Sequence, residues 1–273
     1  MVMNKNTSYR SSVLLKKLNE KEVKFFTIDD AQSILRSNRE ATKRLLIYMA
    51  DRGLILRIKD GLYNIIPYEK EPEKYFPNWH LTAERLVYPT EYYIGFYSAM
   101  DIHGLITQPS LVEQIVTQKQ FHPKTRTIRN VEFEFITLHS KRFFGFTKVW
   151  INNYEKVFCS DLEKTIIDSL YKTNYAGGIV EIVKAIYRAK DKIDSGKMLK
   201  YLERFETLAV NKRLGFILSE LGLFEDLRKK LNKTVTNSYA LLDTALPKNG
   251  KYNSNWKVID NVGIEEAVNS IGT

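Results

Sequence analysis

The stretch TIDDAQSILRSNREATKRLLIYMADRGLILRIKDGLY, from Thr27 to Tyr63, decides how the N-terminal part of this chain folds. Its apolar spacing predicts a short helix over Ile28–Leu35, a polar turn at Ser37-Asn38, a second helix over Arg39–Arg52 and a glycine stop at Gly53. Thr27 is placed to cap the first helix, its hydroxyl accepting from an amide two or three residues on. Within the second helix Thr42, Leu45, Leu46 and Met49 share one face, which leaves Glu40, Lys43, Arg44 and Ile47 on the other. Two apolar strands, Leu54–Ile58 and Leu62–Ile65, flank Lys59-Asp60-Gly61, and the Asp-Gly pair supplies turn chemistry that tolerates positive φ. Helix, turn, helix and hairpin in that order predict a winged helix-turn-helix on double-stranded DNA, with the second helix as groove reader and the hairpin as wing.

The side chains expected at the nucleic acid are Ser37, Asn38, Arg39, Lys43, Arg44, Arg57 and Lys59. Ser37 and Asn38 stand at a helix N-terminus, where free amides and the dipole already favour an anion. Arg39, Lys43 and Arg44 follow on the outward face, Arg57 lies in the first strand, and Lys59 is expected at the wing tip near a sugar-phosphate backbone. Glu40 on the same face suits no phosphate, but a carboxylate accepts from cytosine in the major groove. Charge follows the same division. Of a net +10, residues 1–66 carry 13 Lys+Arg against 7 Asp+Glu, and the remainder 29 against 25. The basic excess is therefore concentrated where counterion release on phosphate would use it.

At 273 residues, 44% of them hydrophobic, the chain is long enough for two well-buried cores. We place a winged helix-turn-helix domain at 1–66, opened by a helix over Ser12–Leu18. A linker follows at 67–79, where Pro67 to Lys74 alternates charges between two prolines, and an α+β domain at 80–273. In that larger domain helices are expected at Leu81–Val87 and Ser98–His103. Strands are expected at Leu111–Thr117, Val131–Ile136 and Thr147–Ile151, giving a mainly antiparallel sheet. Val131, Phe133 and Phe135 alternate with Glu132 and Glu134, so that strand should turn one face to a core. Helices then follow at Leu162–Tyr171, Ile179–Ala189, Met198–Glu206 and Asn211–Leu221, the last stopped by Gly222, with a late strand at Trp256–Ile259. The fold class is α+β.

Enzyme chemistry finds little footing. Cys159 is the single cysteine, which removes internal disulfides and cysteine-based zinc sites. His80, His103, His122 and His139 are scattered, none at ligand spacing from another. Asp161, Glu163 and Asp168 have the composition of a Mg²⁺ site, but Ser160 with Glu163 fits a capping box and first-turn carboxylates offset a helix dipole. Gly177-Gly178 suits a helix-entry turn and lacks the ending of a phosphate loop. The aromatics Tyr88, Tyr92, Tyr93, Phe96 and Tyr97 are assigned to the core. Lys212 and Arg213, opening an apolar helix, are read as solvated, with an extended basic surface as the alternative. No catalytic residue, metal or cofactor is expected. Met1–Arg10 lacks the apolar core of a secretory signal and no stretch approaches the ~20 apolar residues of a membrane span, so the cytoplasm is the expected location.

Several segments, in order, resemble the AbiEi family, antitoxin and transcriptional repressor components of type IV toxin-antitoxin (abortive infection) systems. They are Gly53-Leu54-Ile55 with Gly61-Leu62-Tyr63, then YIGFYSAMDIHGL (93–105) with Gln108-Pro109, DLEKTIID (161–168) with Gly177-Gly178, and Lys212-Arg213-Leu214-Gly215. The resemblance runs from the winged helix to Trp256. It implies an N-terminal domain bound to promoter inverted repeats and a C-terminal domain that counters a nucleotidyltransferase-like toxin without a stable complex. The residues leave two other readings open: a nucleic-acid-processing enzyme positioned by a winged helix, and a conventional regulator whose C-terminal domain senses a ligand.

Overall fold

The computed structural model describes residues 8–269, so most of the polar opening read for signal character lies outside the described residues. The chain divides into two compact units, Met1–Tyr88 and Pro89–Thr273. Each combines helices with sheet, an α+β arrangement.

The first unit contains α1 (Tyr9–Glu20), β1 (Phe25–Thr27), α2 (Ile28–Leu35), α3 (Arg39–Asp51), β2 (Ile55–Lys59), β3 (Leu62–Ile65) and α4 (Trp79–Val87). Thr27 caps α2 as its position suggested. Its hydroxyl accepts from Asp30 N at 3.1 Å while the Asp30 carboxylate accepts from Thr27 N at 2.7 Å, a reciprocal box that satisfies two orphan amides. The next orphan, Ile28 N, donates to the Gly61 carbonyl at 2.9 Å, so the hairpin turn is tied to the start of α2. Gly61 needs its φ of +73° for that turn. Arg36 closes α2 in the left-handed region, and Asn38 opens α3. The strands pair antiparallel in the order β1-β3-β2. Leu14, Leu18, Phe26, Ala31, Leu46 and Met49 fill the core beneath them, and α3 buries Thr42, Leu46 and Met49, the face set by its apolar spacing.

The stretch expected as a linker belongs to this unit. Pro72 packs on Gly53 so closely that a Cβ there would fall 2.5 Å from it, and Tyr75 Oη donates to Asn64 Oδ1 at 3.1 Å. Proline and alternating charge mark this segment as irregular, but they do not make it detached. The helix expected to open the second domain, α4, likewise lies within the first unit, and the division falls at Tyr88/Pro89.

The second unit runs β4 (Tyr92–Ile94), α5 (Phe96–Ile102), β5 (Val112–Thr117), β6 (Thr125–Ile128), β7 (Val131–Thr137), β8 (Phe146–Trp150), β9 (Lys156–Ser160), α6 (Leu162–Tyr171), α7 (Ile179–Ala189), α8 (Ser195–Phe205), α9 (Leu208–Glu220), α10 (Glu225–Asn232), β10 (Ala240–Leu241), β11 (Lys251–Asn253), β12 (Val258–Asp260) and α11 (Ile264–Asn269). Six strands form one sheet in the order β6-β7-β5-β4-β9-β8. It is mixed: β5-β7 and β4-β9 are parallel and the other three pairings antiparallel, a smaller antiparallel majority than expected. Phe133 and Phe135 are buried as their alternation demands, while Glu134 is half-buried and accepts from Gln114 Nε2 at 3.1 Å. Helices α6, α7, α8 and α9 enclose the main core, with Ile167, Leu170, Val183, Ile186, Val210 and Ile217 at its centre. A small sheet, β10-β12-β11, closes the far end of the chain against α9. No helix among the described residues is long and apolar enough to cross a membrane.

Candidate nucleic-acid interface

Helix α3 is held by its buried stripe, which fixes what its other side presents. Arg39, Glu40, Lys43, Arg44, Ile47, Tyr48, Asp51 and Arg52 are all exposed, at the spacing of one helix face. Lys43 and Arg44 form no ion pair among the described residues. Between α3 and the β2–β3 hairpin lies a groove of about 420 Å³. Buried Ile28, Leu46 and Tyr63 form its floor, and exposed Arg39, Lys43, Ile47 and Arg57 its walls.

The other expected contacts are placed less simply. Arg39 is exposed and pairs with Asp29 at 2.6 Å, and Arg57 is exposed and pairs with Asp60 at the hairpin turn. Asn38 is exposed, and its Oδ1 caps α3 by accepting from Ala41 N at 2.8 Å. Ser37 is half-buried, with its Oγ 2.7 Å from Thr42 Oγ1, so that hydroxyl serves the turn. Lys59 is a correction. Strand register slips between Arg57 and Lys59, and the Lys59 ammonium donates to the Leu86 carbonyl at 2.8 Å, at the last turn of α4. The hairpin turn is Asp60-Gly61, and Lys59 braces the hairpin against α4. That carbonyl was invisible to a reading that placed α4 in another domain. Tyr48 and Arg52 were missed on the face, with the Arg52 guanidinium 5.4 Å from the Tyr48 ring centroid. Extending the spacing of Lys43, Arg44 and Ile47 by one more turn finds them.

In the second unit the acidic segment is a structural joint. Asp161 caps α6, accepting from Lys164 N at 3.0 Å, in place of the expected Ser160, which is buried at the end of β9. Asp161 also accepts from Tyr201 Oη at 2.8 Å; burial and that hydrogen bond push the tyrosine hydroxyl up to about 12. Glu163 accepts from Asp194 N at 2.9 Å and pairs with Lys197 at 2.7 Å. Asp168 pairs with Lys164, and both are fully buried. Tyr93 Oη donates to Asp168 Oδ2 at 2.8 Å and accepts from Lys164 Nζ at 3.0 Å. Burial raises the Asp168 carboxyl and lowers the Lys164 ammonium. Each of these carboxylates is engaged by protein donors.

Lys212 and Arg213 are neither solvated nor part of a basic surface: they are 2% and 4% exposed. Lys212 Nζ donates to Thr236 Oγ1 at 2.9 Å, while Arg213 Nε reaches the Leu241 carbonyl at 2.8 Å and its Nη1 the Leu170 carbonyl at 2.7 Å. Burial lowers both from their ordinary values. Lys212 and the Arg213 Nε tie the segment after α10 to α9, and the Arg213 Nη1 ties α9 to α6; long cations reach such acceptors while their stems lie along apolar surface. Gly177 and Gly178 do form a helix-entry turn, at φ +74° and +85°. Asp243, far along the chain, caps α7 there by accepting from Ile179 N at 3.1 Å. Of the clustered aromatics Tyr92, Tyr93 and Phe96 are core, Tyr97 is half-buried and Tyr88 is 71% exposed. Cys159 is buried, and burial pushes its thiol up, so it serves as a core group.

No protein-family model matches the chain, and neither does any curated protein. Among solved structures, the crystal structure of the RV2827C protein from Mycobacterium tuberculosis matches 99% of this chain and 97% of that chain with a TM-score of 0.74 at 11% sequence identity. At that identity the likeness is one of fold.

Proposed function

We infer that this chain is a DNA-binding transcriptional repressor that also serves as the antitoxin of a type IV toxin-antitoxin pair. In this reading the first unit is a winged helix-turn-helix. Helix α3 lies in the major groove of a promoter inverted repeat, and the β2–β3 hairpin is the wing beside it. The observation that carries the reading is the outward face of α3, where Lys43 and Arg44 stand exposed and without an ion pair among the described residues. Arg39 and Arg57 exchange Asp29 and Asp60 for phosphate at small cost, because exposed pairs of that kind contribute little. The α3 N-terminus adds its dipole and free amides. Lys59 takes no part.

The antitoxin role rests on the AbiEi resemblance of segments that lie in and around α5, α6 and α9. The partner it implies is a nucleotidyltransferase-like toxin, countered without a stable complex and without catalysis by this chain.

Two measurements test the two halves. With Lys43→Ala and Arg44→Ala together, affinity for a duplex selected from a random pool should fall, and the slope of log K against log salt should flatten by about 2. Unchanged affinity and slope would remove α3 from the interface. In cells expressing a neighbouring gene for a nucleotidyltransferase-like protein, which this reading requires, the full chain should restore growth. Absence of rescue at matched expression leaves a regulator without antitoxic function, and metal-dependent turnover of nucleic acid by the purified chain would replace the reading with an enzyme.

A further inference from the structure

We propose that Ile47 reads the 5-methyl group of thymine in the major groove, an inference that rests on the DNA-binding reading above. An exposed aliphatic residue is ordinary by itself; the setting of this one carries the argument. Ile47 is 49% exposed in the middle of the outward face of α3, four residues after Lys43 and three after Arg44, and it lines the groove facing Arg57. The cations around it select a polyanion as the partner, yet the isoleucine can neither hold a phosphate nor hydrogen-bond a base edge. Among the groups that base pairs display in the major groove, the thymine methyl is the one complementary to a purely apolar side chain.

Two features make this contact selective. A β-branched side chain in a helix keeps essentially one χ1 rotamer, so the Ile47 methyls are presented at a fixed place. The helix beneath is also rigidly seated, because Leu46 and Met49 on either side in sequence are buried in the core. Isoleucine is, moreover, a poorer helix former than the Lys, Gln or Ala that would serve a solvated position. Glu40 and Asp51 lie on the same exposed face, one at each end of the strip that contains Ile47.

The test uses the full chain and a duplex selected from a random pool, in which each thymine is replaced in turn by deoxyuridine. At one or two positions per half-site the missing methyl should weaken binding roughly threefold to fivefold, the scale of one buried methyl group. Ile47→Ala should weaken the unmodified duplex by a similar factor, leave the salt slope unchanged, and abolish the difference between thymine and deoxyuridine at those positions. Ile47→Val should retain part of it. If the duplex binds but deoxyuridine is silent, or if Ile47→Ala discriminates as well as the parent, this inference fails while the DNA-binding reading stands. If no duplex is captured at any salt concentration, the DNA-binding reading fails and takes this inference with it.

Discussion

Replacing Asp168 by Ala is expected to lower the unfolding free energy by about 3–5 kcal/mol, the scale for stranding one member of a buried ion pair. Lys164 and Asp168 are both fully buried, so the surviving ammonium would have no water to turn to. It lies 5.2, 5.3 and 5.4 Å from the ring centroids of Tyr93, Phe144 and Phe205. Those rings offer a cation only part of what the carboxylate supplies. Tyr93 would lose the acceptor for its hydroxyl at the same time. Burial already lowers the Lys164 pKa and Asp168 opposes that shift, so removing Asp168 would lower it further, which moves part of the cost into protonation without removing it. Lys164→Met with Asp168→Leu should recover most of the loss, because a well-packed apolar pair of similar volume replaces a desolvated ionic one with little penalty. Urea denaturation of the parent and these two variants checks this. A loss below about 1 kcal/mol for Asp168→Ala would mean that water or another donor reaches the cluster.

The same pair shows what the sequence carries and what it withholds. Lys164 and Asp168 lie four residues apart on one helix face, and α6 was legible with both its ends, because an apolar stripe between strong boundary residues leaves little choice. That the pair is sealed was not legible: a carboxylate and an amine at that spacing usually decorate a solvated surface. The covering rings arrive from β4, the segment before β8 and α8, all remote in sequence. Lys212 and Arg213 were misread for the same reason, since their hydrogen-bond partners stand 24 to 43 residues away. The strands that escaped, β1, β4, β6, β9, β10 and β11, are two to five residues long and take their register from neighbours, as β1 does from β3. In the candidate interface the face of α3 followed from periodicity alone, whereas the fate of Lys59 depended on a strand bulge and on where α4 packs. Local pattern decides which way a helix turns, and long-range packing decides which of its charges remain available.

Gly215→Ala is expected to destabilise the chain by about 1–3 kcal/mol, the range for overpacking a filled core, although the same substitution in an open helix stabilises by up to ~1 kcal/mol. Gly215 sits inside α9, where alanine is the better helix former, so local propensity and tertiary packing predict opposite signs. Packing should win. A Cβ at Gly215 would fall 2.0 Å from Trp256 Cζ3 and 2.4 Å from Cη2, well inside van der Waals contact. The indole cannot slide aside freely, because its Nε1 donates to Ser219 Oγ at 2.8 Å and its backbone N to Asn253 Oδ1 at 2.9 Å. Trp256 is buried and leads into β12, so moving it disturbs the small sheet whose neighbour Asp243 caps α7. Trp256→Ala should itself cost about 3–5 kcal/mol through lost burial and the cavity left behind. The decisive comparison is Gly215→Ala made in the Trp256→Ala background. With the indole gone the three nearest contacts of the new methyl are removed, and the helix-propensity term should dominate, so the effect should change sign. Two destabilising single variants whose combination is more stable than Trp256→Ala alone would locate the cost in that one contact. A glycine in the middle of a helix would then be explained by the ring that lies across it, rather than by any freedom its backbone uses.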